Sequence, residues 1–194
     1  MYHFVFLGAP GIGKSTQAKI FAGNHNFAPI IPGELLHSEI AGGTKLGAEL
    51  KHIVESGELV PIEFVIRLMD KKLEEAGQKN GYIWDGFPRA ISTVQIASEF
   101  FAERHFNLTA AILFDVSDAN LSARFENRRC SEGRFDDTPE VWSRRLKVYQ
   151  EKTFPVVDFY EKKGLLVTID GNGSIEEVQA NLVAAISVLP AIVS

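Results

Sequence analysis

Short apolar runs alternate with longer stretches of helical periodicity along this chain. The runs are rich in β-branched and aromatic residues and are bounded by turn residues, which is typical of buried parallel strands. Four runs are clear, at residues 2–7, 82–84, 110–116 and 165–169, and a weaker one spans residues 27–31. We therefore predict a sheet whose strands are separated by helices.

Helical spacing fills most of the intervals between these runs. The predicted helices span residues 14–22, 46–55, 62–75, 93–104, 119–128, 139–163 and 175–189. Pro155 lies inside the 139–163 stretch and should kink that helix, because proline removes an interior hydrogen bond. Regular alternation of strand and helix predicts an α/β fold, a parallel sheet with helices on both faces.

Composition and charge place the chain among single-domain globular proteins. It has 194 residues, enough for one well-buried domain with room for a small insertion or two. Hydrophobic residues make up 45% and charged residues 23%, which is the ordinary composition of soluble proteins. The formal net charge of −5 argues against a nucleic-acid polymer as the main partner, although it leaves small anions open as ligands.

The cysteine content and two apolar segments bear on location. Cys130 is the single cysteine of the sequence, which excludes an intrachain disulfide and a cysteine-cluster zinc site and fits a reducing compartment. The first residues lack the basic region of a signal peptide. The apolar stretch 182–193 carries Pro190 and is far shorter than the ~20 residues that span a membrane. We therefore expect a cytoplasmic protein.

A phosphate-binding loop follows the first strand. Residues 8–15 read GAPGIGKS and fit the pattern G-x-x-x-x-G-K-[ST]. The glycines let backbone N–H groups approach phosphate oxygens, and the following helix presents its positive N-terminal end to the same anion. Lys14 adds a mobile charge, and Ser15 or Thr16 can lie near Mg²⁺. A dinucleotide-binding turn does not fit, because Thr16 stands where the third glycine should be. The loop alone does not separate a kinase from a GTPase or an ATPase.

A carboxylate ends a predicted strand in the stretch GYIWDGFPR, residues 81–89. Ligands bind at the carboxyl edge of an open α/β sheet. Asp85 can therefore hold Mg²⁺ there through water, and Arg89 can reach an anion in the same crevice. The alternative is that Asp85 only caps the turn before Gly86.

Several arginines could converge on one ligand: Arg124, Arg128, Arg134 and Arg145. The first two are four residues apart and share a helix face, the third lies in a short polar loop, and the fourth lies in the next helix. Guanidinium groups that converge repel each other unless an anion joins them, and a transferring phosphoryl group is such an anion. The alternative is a solvated helical hairpin in which arginines pair with aspartates such as Asp136 and Asp137, and we prefer it for Arg129 and Arg144.

Together these stretches resemble the adenylate kinase family, within the nucleoside-monophosphate kinases. The motifs follow one another as in that family along nearly the whole chain: GAPGIGKSTQ, PGELL, GELVP, GYIWDGFPR, GRFDD, RRLKVY and TIDGNGSIEEV. The step of six residues from Arg128 to Arg134 is similar to the short-lid form. The long-lid form has an inserted subdomain at that place, sometimes with a cysteine-ligated zinc.

The resemblance implies a P-loop NTPase-type core with a parallel five-stranded sheet, formed by residues 1–31, 61–128 and 139–194. It also implies two insertions: a nucleoside-monophosphate-binding segment at 32–60, which we call the acceptor segment, and a short lid at 129–138. The implied reaction is reversible, Mg²⁺-dependent transfer of the γ-phosphoryl group of ATP to a nucleoside monophosphate, with AMP as the expected acceptor. The family's short-lid members imply a monomer without zinc.

The same resemblance implies roles for individual residues. The donor phosphates are expected on Gly11, Ile12, Gly13, Lys14, Ser15 and Thr16, with Mg²⁺ near Ser15 and Asp85. The donor adenine is expected against Arg124 and the carbonyl of Gly173. The catalytic residues around the transferring group are expected to be Lys14, Arg89, Arg128, Arg134 and Arg145. The acceptor is expected against Pro32, His37, Glu58, Leu59, Val60, Gly86, Arg89 and Thr93. No protein base is required, since positioning and electrostatics can carry phosphoryl transfer.

The acceptor side departs from the family pattern at three positions. Pro32 replaces a threonine that touches the acceptor base, His37 replaces an arginine that grips the acceptor phosphate, and Thr93 replaces a glutamine that pairs with adenine. These changes leave UMP, CMP or a deoxynucleotide open as alternative acceptors, and a non-catalytic ATP-binding homologue as a further alternative. Nothing in the sequence pairs Cys130 with a catalytic partner.

Overall fold

The computed structural model describes residues 1–189 and contains a five-stranded parallel sheet. The strands are β1 (Tyr2–Leu7), β2 (Phe27–Ile30), β3 (Gly81–Asp85), β4 (Ala110–Asp115) and β5 (Leu166–Asp170). Their order across the sheet is β2-β3-β1-β4-β5, and every neighbouring pair is parallel. The predicted fold class is confirmed, and no strand end differs from its predicted position by more than one residue.

Helices connect the strands. They are α1 (Lys14–His25), α2 (Pro32–Ala41), α3 (Lys45–Ser56), α4 (Ile62–Ala76), α5 (Val94–Glu103), α6 (Asp118–Glu132), α7 (Pro139–Val148), α8 (Phe154–Lys162) and α9 (Ile175–Ser187). A short 3₁₀ turn at Ile91–Thr93 precedes α5. No helix is predicted for residues 32–41, where α2 forms. Its ends carry usable signals, since Pro32 lies in its first turn and Gly42 follows its last residue.

Residues 139–162 are helical throughout, as two α-helices joined by a π-helical turn, so the predicted helical stretch is confirmed and its interruption lies directly before Pro155. The turn spans Tyr149–Thr153, between α7 and α8. At its end the Phe154 N–H donates to the Tyr149 carbonyl, five residues back. Pro155 has no N–H with which to continue an α-helical ladder, and the wider turn lies directly before it.

The sheet is buried on both faces, which explains why its strands read as continuous apolar runs. Along β1, Val5 and Leu7 enter one hydrophobic cluster together with residues of α4, α5 and α8. Phe4 and Phe6 enter another cluster, with residues of α1, α6 and α9. Packing from both sides therefore fixes the carboxyl ends of the central strands.

The acceptor segment has a small core of its own, in which Leu36 and Leu50 pack with Leu68 of α4. Within the described part of the chain, every helix is too short or too polar to cross a lipid bilayer. The predicted apolar stretch 182–193 ends in residues 190–193, which lie outside the described residues.

Candidate active site

A cavity of about 1040 Å³ lies at the carboxyl ends of β1 and β3. The phosphate loop, the acceptor segment, the lid and helices α6 and α7 all contribute to its wall. Every residue that was predicted for the site lines this cavity, from Gly11 in the phosphate loop to Gly173 before α9. The fold therefore brings the expected donor and acceptor residues into one space.

The phosphate loop has the backbone that its glycines permit. Gly8, Gly11 and Gly13 have φ values of +140°, +88° and +100°, which side chains disfavour. Gly13 occupies the cap of α1 in a left-handed conformation. In this geometry the loop wraps the N-terminal end of α1, where backbone N–H groups and the helix dipole attract an anion.

Lys14 is folded back over the phosphate loop. Its Nζ donates to the carbonyls of Gly8 and Ala9, each at 2.8 Å, and the residue is only 9% exposed. Burial lowers the pKa of Lys14 to about 8, with Arg89 and Arg128 adding to the effect and Asp85 opposing it. An anion bound in the cavity offsets this desolvation and stabilises the charged ammonium group.

Asp85 ends β3 and is buried beside the start of α1. Ser15 Oγ donates to Asp85 Oδ2, whereas Asp85 Oδ1 has no hydrogen-bond partner among residues 1–189. Those residues contain no group of three or more His, Cys, Asp or Glu side chains that could hold a metal ion. Ser15 Oγ and the unpartnered Asp85 Oδ1 are oxygen ligands of the kind that Mg²⁺ takes, so these two residues fit Mg²⁺, which usually keeps several waters and binds few protein oxygens together with substrate phosphates.

Arg124 connects the phosphate loop to the loop between β5 and α9. Its Nη1 donates to the Ile12 carbonyl at 2.6 Å, and its Nη2 donates to the carbonyls of Gly171 and Gly173 at 2.6 and 2.9 Å. The guanidinium plane is therefore fixed at the wall of the cavity, next to the Gly173 carbonyl for which a role was predicted.

Two buried carboxylates at the end of the lid hold two of the predicted catalytic arginines. Arg128 donates to Asp137 at two points, with Nη2–Oδ1 at 2.6 Å and Nε–Oδ2 at 2.9 Å. Arg145 donates to Asp136 Oδ2 through Nη2, and its Nη1 lies 3.6 Å from Asp137 Oδ1. The sequence suggested Arg–Asp pairs only as part of the solvated-hairpin alternative, whereas these two carboxylates of the GRFDD motif are buried and pair with arginines of the cavity.

The ionised form of the Asp136 carboxyl group is strongly favoured. Although burial by itself raises the pKa of this carboxyl, the hydrogen bond from His37 and the positive charge of Arg145 lower it to about 2. Asp136 is therefore ionised at any working pH.

The remaining arginines fall into two groups, one residue in the cavity wall and two on the surface. Arg134 is half-buried and lines the cavity. Arg129 and Arg144 are exposed, and Arg129 pairs with Glu126 on the helix surface at 2.8 Å. The solvated interpretation of these two residues is confirmed. Cys130 is exposed.

On the acceptor side, the backbone before and after Arg89 is held by hydrogen bonds. Arg89 Nε donates to the Gly86 carbonyl at 2.8 Å, and Thr153 Oγ1 donates to the Arg89 carbonyl at 2.7 Å. Thr93 Oγ1 donates to the Ala90 carbonyl at 2.8 Å. Sequence reasoning missed Thr153, because the π-helical turn that aims it at the cavity depends on the packing of α7 and α8.

The acceptor segment touches the lid and α7 at several points. His37 Nε2 lies 3.1 Å from Asp136 Oδ2 in the lid. Glu58 Oε2 lies 3.3 Å from Nζ of Lys152, a cavity-lining residue in the π-helical turn that sequence reasoning also missed. Gly57 approaches α7 so closely that a Cβ atom there would lie 3.0 Å from the Val141 carbonyl oxygen. The segment therefore closes over the cavity.

The chain is similar to known adenylate kinases along most of its length. The family model described as adenylate kinase matches residues 6–165. A protein named adenylate kinase from Leptospira biflexa serovar Patoc is 39% identical over 186 residues, covering 96% of this chain and 100% of that protein. An adenylate kinase from Mycolicibacterium paratuberculosis is 40% identical over 94% of this chain and 97% of its own length. One from Thermus thermophilus is 38% identical over 95% of this chain and 96% of its own length.

Proposed function

The chain belongs to the adenylate kinase family, and we propose that it transfers the γ-phosphoryl group of ATP reversibly to AMP, giving two ADP. The observation that carries this function is the cavity itself, which is lined by the phosphate loop, by the acceptor segment and by the guanidinium-bearing residues Arg89, Arg128, Arg134 and Arg145. A protein that only bound ATP would not need the acceptor segment and the arginines at the same cavity.

We place ATP on the phosphate loop. The backbone of Gly11 to Thr16 and the N-terminal end of α1 bind its phosphates. Lys14, which contacts two loop carbonyls in this structure, turns its ammonium group to the β- and γ-phosphates. Arg124 and the Gly173 carbonyl lie against the adenine.

Mg²⁺ would be held at Ser15 and Asp85 through water, together with the ATP phosphates. The unpaired Oδ1 of Asp85 supports this placement, because a buried carboxylate oxygen needs a partner. When bound, Mg²⁺ neutralises charge on the β- and γ-phosphates during transfer.

Transfer takes place between the arginines. An oxygen of the AMP phosphate attacks the γ-phosphorus, and ADP leaves on the opposite side. The charge on the transferring group is stabilised by Lys14, Arg89, Arg128, Arg134 and Arg145. Arg128 supports this assignment, because its Nη1 is not used by Asp137 and points toward Gly11, where a Cβ atom would lie 3.8 Å from it. The attacking phosphate oxygen is already an anion, so no protein base is needed.

AMP lies between Arg89 and the acceptor segment. Arg89 binds the phosphate, and the chain around Glu58, Leu59 and Val60 lines the base pocket. Gly86, Pro32, His37 and Thr93 complete its wall. Closure of the acceptor segment and the lid excludes water, which would otherwise hydrolyse ATP.

The proposal extends to assembly and location. We propose that the protein acts as a monomer, since one chain provides both halves of the cavity. We also propose a cytoplasmic location, for which the single exposed cysteine and the lack of an intrachain disulfide are the support.

The experiment that tests the function is a balance of all nucleotides. The protein is mixed with ATP, Mg²⁺ and AMP, and ATP, AMP, ADP and inorganic phosphate are quantified by ³¹P NMR. We expect two ADP for each ATP consumed, no inorganic phosphate, and no reaction without AMP. Phosphate release that does not depend on AMP, or the absence of any transfer, would contradict the proposal.

The matched control is Lys14→Ala. It should lower turnover at least about a hundredfold, because it removes a charge that the transition state needs, while thermal unfolding remains cooperative. A rate close to that of the unaltered protein would overturn the assignment of the phosphate loop.

A further inference from the structure

We propose that His37 is a positioning residue, which fastens the acceptor segment to the lid through Asp136 and thereby places Arg145 at the transferring phosphoryl group. The inference rests on the proposed function, since it assigns a role within the same reaction. It differs from the expectation that His37 binds the acceptor phosphate directly.

The contact that carries the inference joins three parts of the chain at one oxygen atom. His37 Nε2, from α2, lies 3.1 Å from Asp136 Oδ2, in the lid. The same Oδ2 accepts a hydrogen bond from Nη2 of Arg145, in α7. The acceptor segment and a catalytic arginine therefore share one carboxylate.

Burial makes this carboxylate sensitive to its partners. The Asp136 side chain is fully buried, whereas the His37 side chain is 22% exposed. Within the described residues, Asp136 Oδ1 has no hydrogen-bond partner, so Oδ2 carries the contacts that hold the group. A buried carboxylate that loses one of its few hydrogen bonds moves toward its remaining partners or toward water. Either shift moves Arg145.

Neighbouring contacts place Arg145 at the same junction. Its Nη2 lies 3.5 Å from the Val54 carbonyl of α3, and the ring of Phe135 in the lid lies 5.4 Å from the ring of His37. These contacts form only when the acceptor segment lies against the lid and α7. Closure of the acceptor segment and placement of Arg145 are therefore coupled through the same contacts.

The ring of His37 has limited capacity for a second role. Nε2 is used by Asp136, which leaves Nδ1 for any other partner. An arginine at this position has several N–H groups and could serve a carboxylate and a phosphate together. A histidine at this position therefore favours the contact with the lid over a contact with phosphate.

The test is a double-mutant cycle in the full-length protein, read by the single-turnover rate of ATP-to-AMP transfer at saturating nucleotides. His37→Ala should slow this rate about ten- to hundredfold, with ATP and AMP dissociation constants changed less than threefold. Asp136→Asn should slow it by at least as much. Because both act through one contact, the double variant should be no slower than Asp136→Asn alone.

Two further variants complete the design. His37→Gln keeps an N–H donor near the position of Nε2 and should retain the rate within a few fold of the unaltered protein. His52→Ala, an exposed histidine of the same acceptor segment, should leave the rate unchanged. Melting temperatures measured in parallel separate loss of fold from loss of positioning.

Additive losses in the double variant would overturn the inference, as would a His37→Ala effect that falls mainly on the AMP dissociation constant. So would His37→Gln being as slow as His37→Ala. The proposed function is tested separately, by the nucleotide balance of the unaltered protein. The role of His37 can therefore be refuted while the proposed function stands.

Discussion

Asp137 holds the guanidinium group of Arg128 at two points, with Nη2 2.6 Å from Oδ1 and Nε 2.9 Å from Oδ2. The Asp137 side chain is only 1% exposed, so it holds Arg128, which lines the cavity, from the buried side. A two-point contact fixes both the position and the plane of a guanidinium group. Arg128 is therefore oriented before any nucleotide arrives.

Removing the charge of Asp137 should release Arg128. In Asp137→Asn, we expect the single-turnover transfer rate to fall roughly thirtyfold, which corresponds to ~2 kcal/mol for a charged hydrogen bond. The ATP dissociation constant should change little, because the phosphate loop is untouched. Glu126→Gln is the matched control, since Glu126 pairs with the exposed Arg129 outside the cavity, and its rate should be unchanged. Equal rates for the two variants would refute the role of Asp137.

The lowered pKa of Lys14 predicts the pH dependence of ATP capture. In the free enzyme this lysine loses its proton at a pH of about 8, so kcat/KM for ATP should fall above that pH, whereas kcat should persist to higher pH because bound phosphate retains the proton. Lys14→Arg, whose charge does not titrate in this range, should lose the pH dependence whatever rate it keeps. Equal kcat/KM values at pH 7.5 and 9.5 would contradict this.

The same shift predicts the sign of a stability effect. The folded state releases the Lys14 proton near pH 8, whereas an unfolded lysine keeps it to about 10.5. Between these values the unfolded state binds more protons, so this residue makes the free energy of unfolding rise with pH. The free energy of unfolding is measured by urea unfolding at pH 8 and 10, for the unaltered protein and for Lys14→Met. The part of its rise that Lys14 causes should be absent in the variant.

Gly57 tests whether the acceptor segment must press against α7. A Cβ atom at Gly57 would lie 3.0 Å from the Val141 carbonyl oxygen and 3.3 Å from Arg145 Cγ, at a φ of +77°. Gly57→Ala should therefore lower kcat/KM for AMP at least tenfold. It should also lower the free energy of unfolding by about 1 kcal/mol or more, through the left-handed backbone.

Gly43 provides the control for the cost of placing alanine in a left-handed backbone conformation. It lies in the same segment at a φ of +62°, and a Cβ atom there would meet nothing within 4 Å. Gly43→Ala should lose similar stability and keep its kcat/KM for AMP. If both variants lose activity in parallel, backbone strain and not contact with α7 is responsible.

Much of the fold and of the site could be predicted because its signals are local or follow from one rule. The phosphate loop is a contiguous motif, and Asp85 follows from the rule that the carboxyl ends of parallel strands meet at one edge. Arg124 and Arg128 share a face of a single helix. Each of these residues lines the cavity.

The features that could not be predicted depend on how distant segments meet. The pairing of His37 with Asp136 requires the position of α2 relative to the lid, and neither residue carries a local sign of it. The contact between Thr153 and the Arg89 carbonyl depends on a π-helical turn, which follows from the packing of α7 and α8 together with Pro155. Helix α2 was missed because its Pro32 and Gly42 signals flank a short segment with little periodicity.

AMP is the expected acceptor, although Pro32, His37 and Thr93 line its side of the cavity. Acceptor preference is measured as kcat/KM for AMP, UMP, CMP, GMP and dAMP, each with saturating ATP and Mg²⁺, by following ADP formation. We predict that AMP is preferred over every other acceptor, in which case the three residues are tolerated variations. A higher kcat/KM for another acceptor, or no transfer to any of them, would contradict the account.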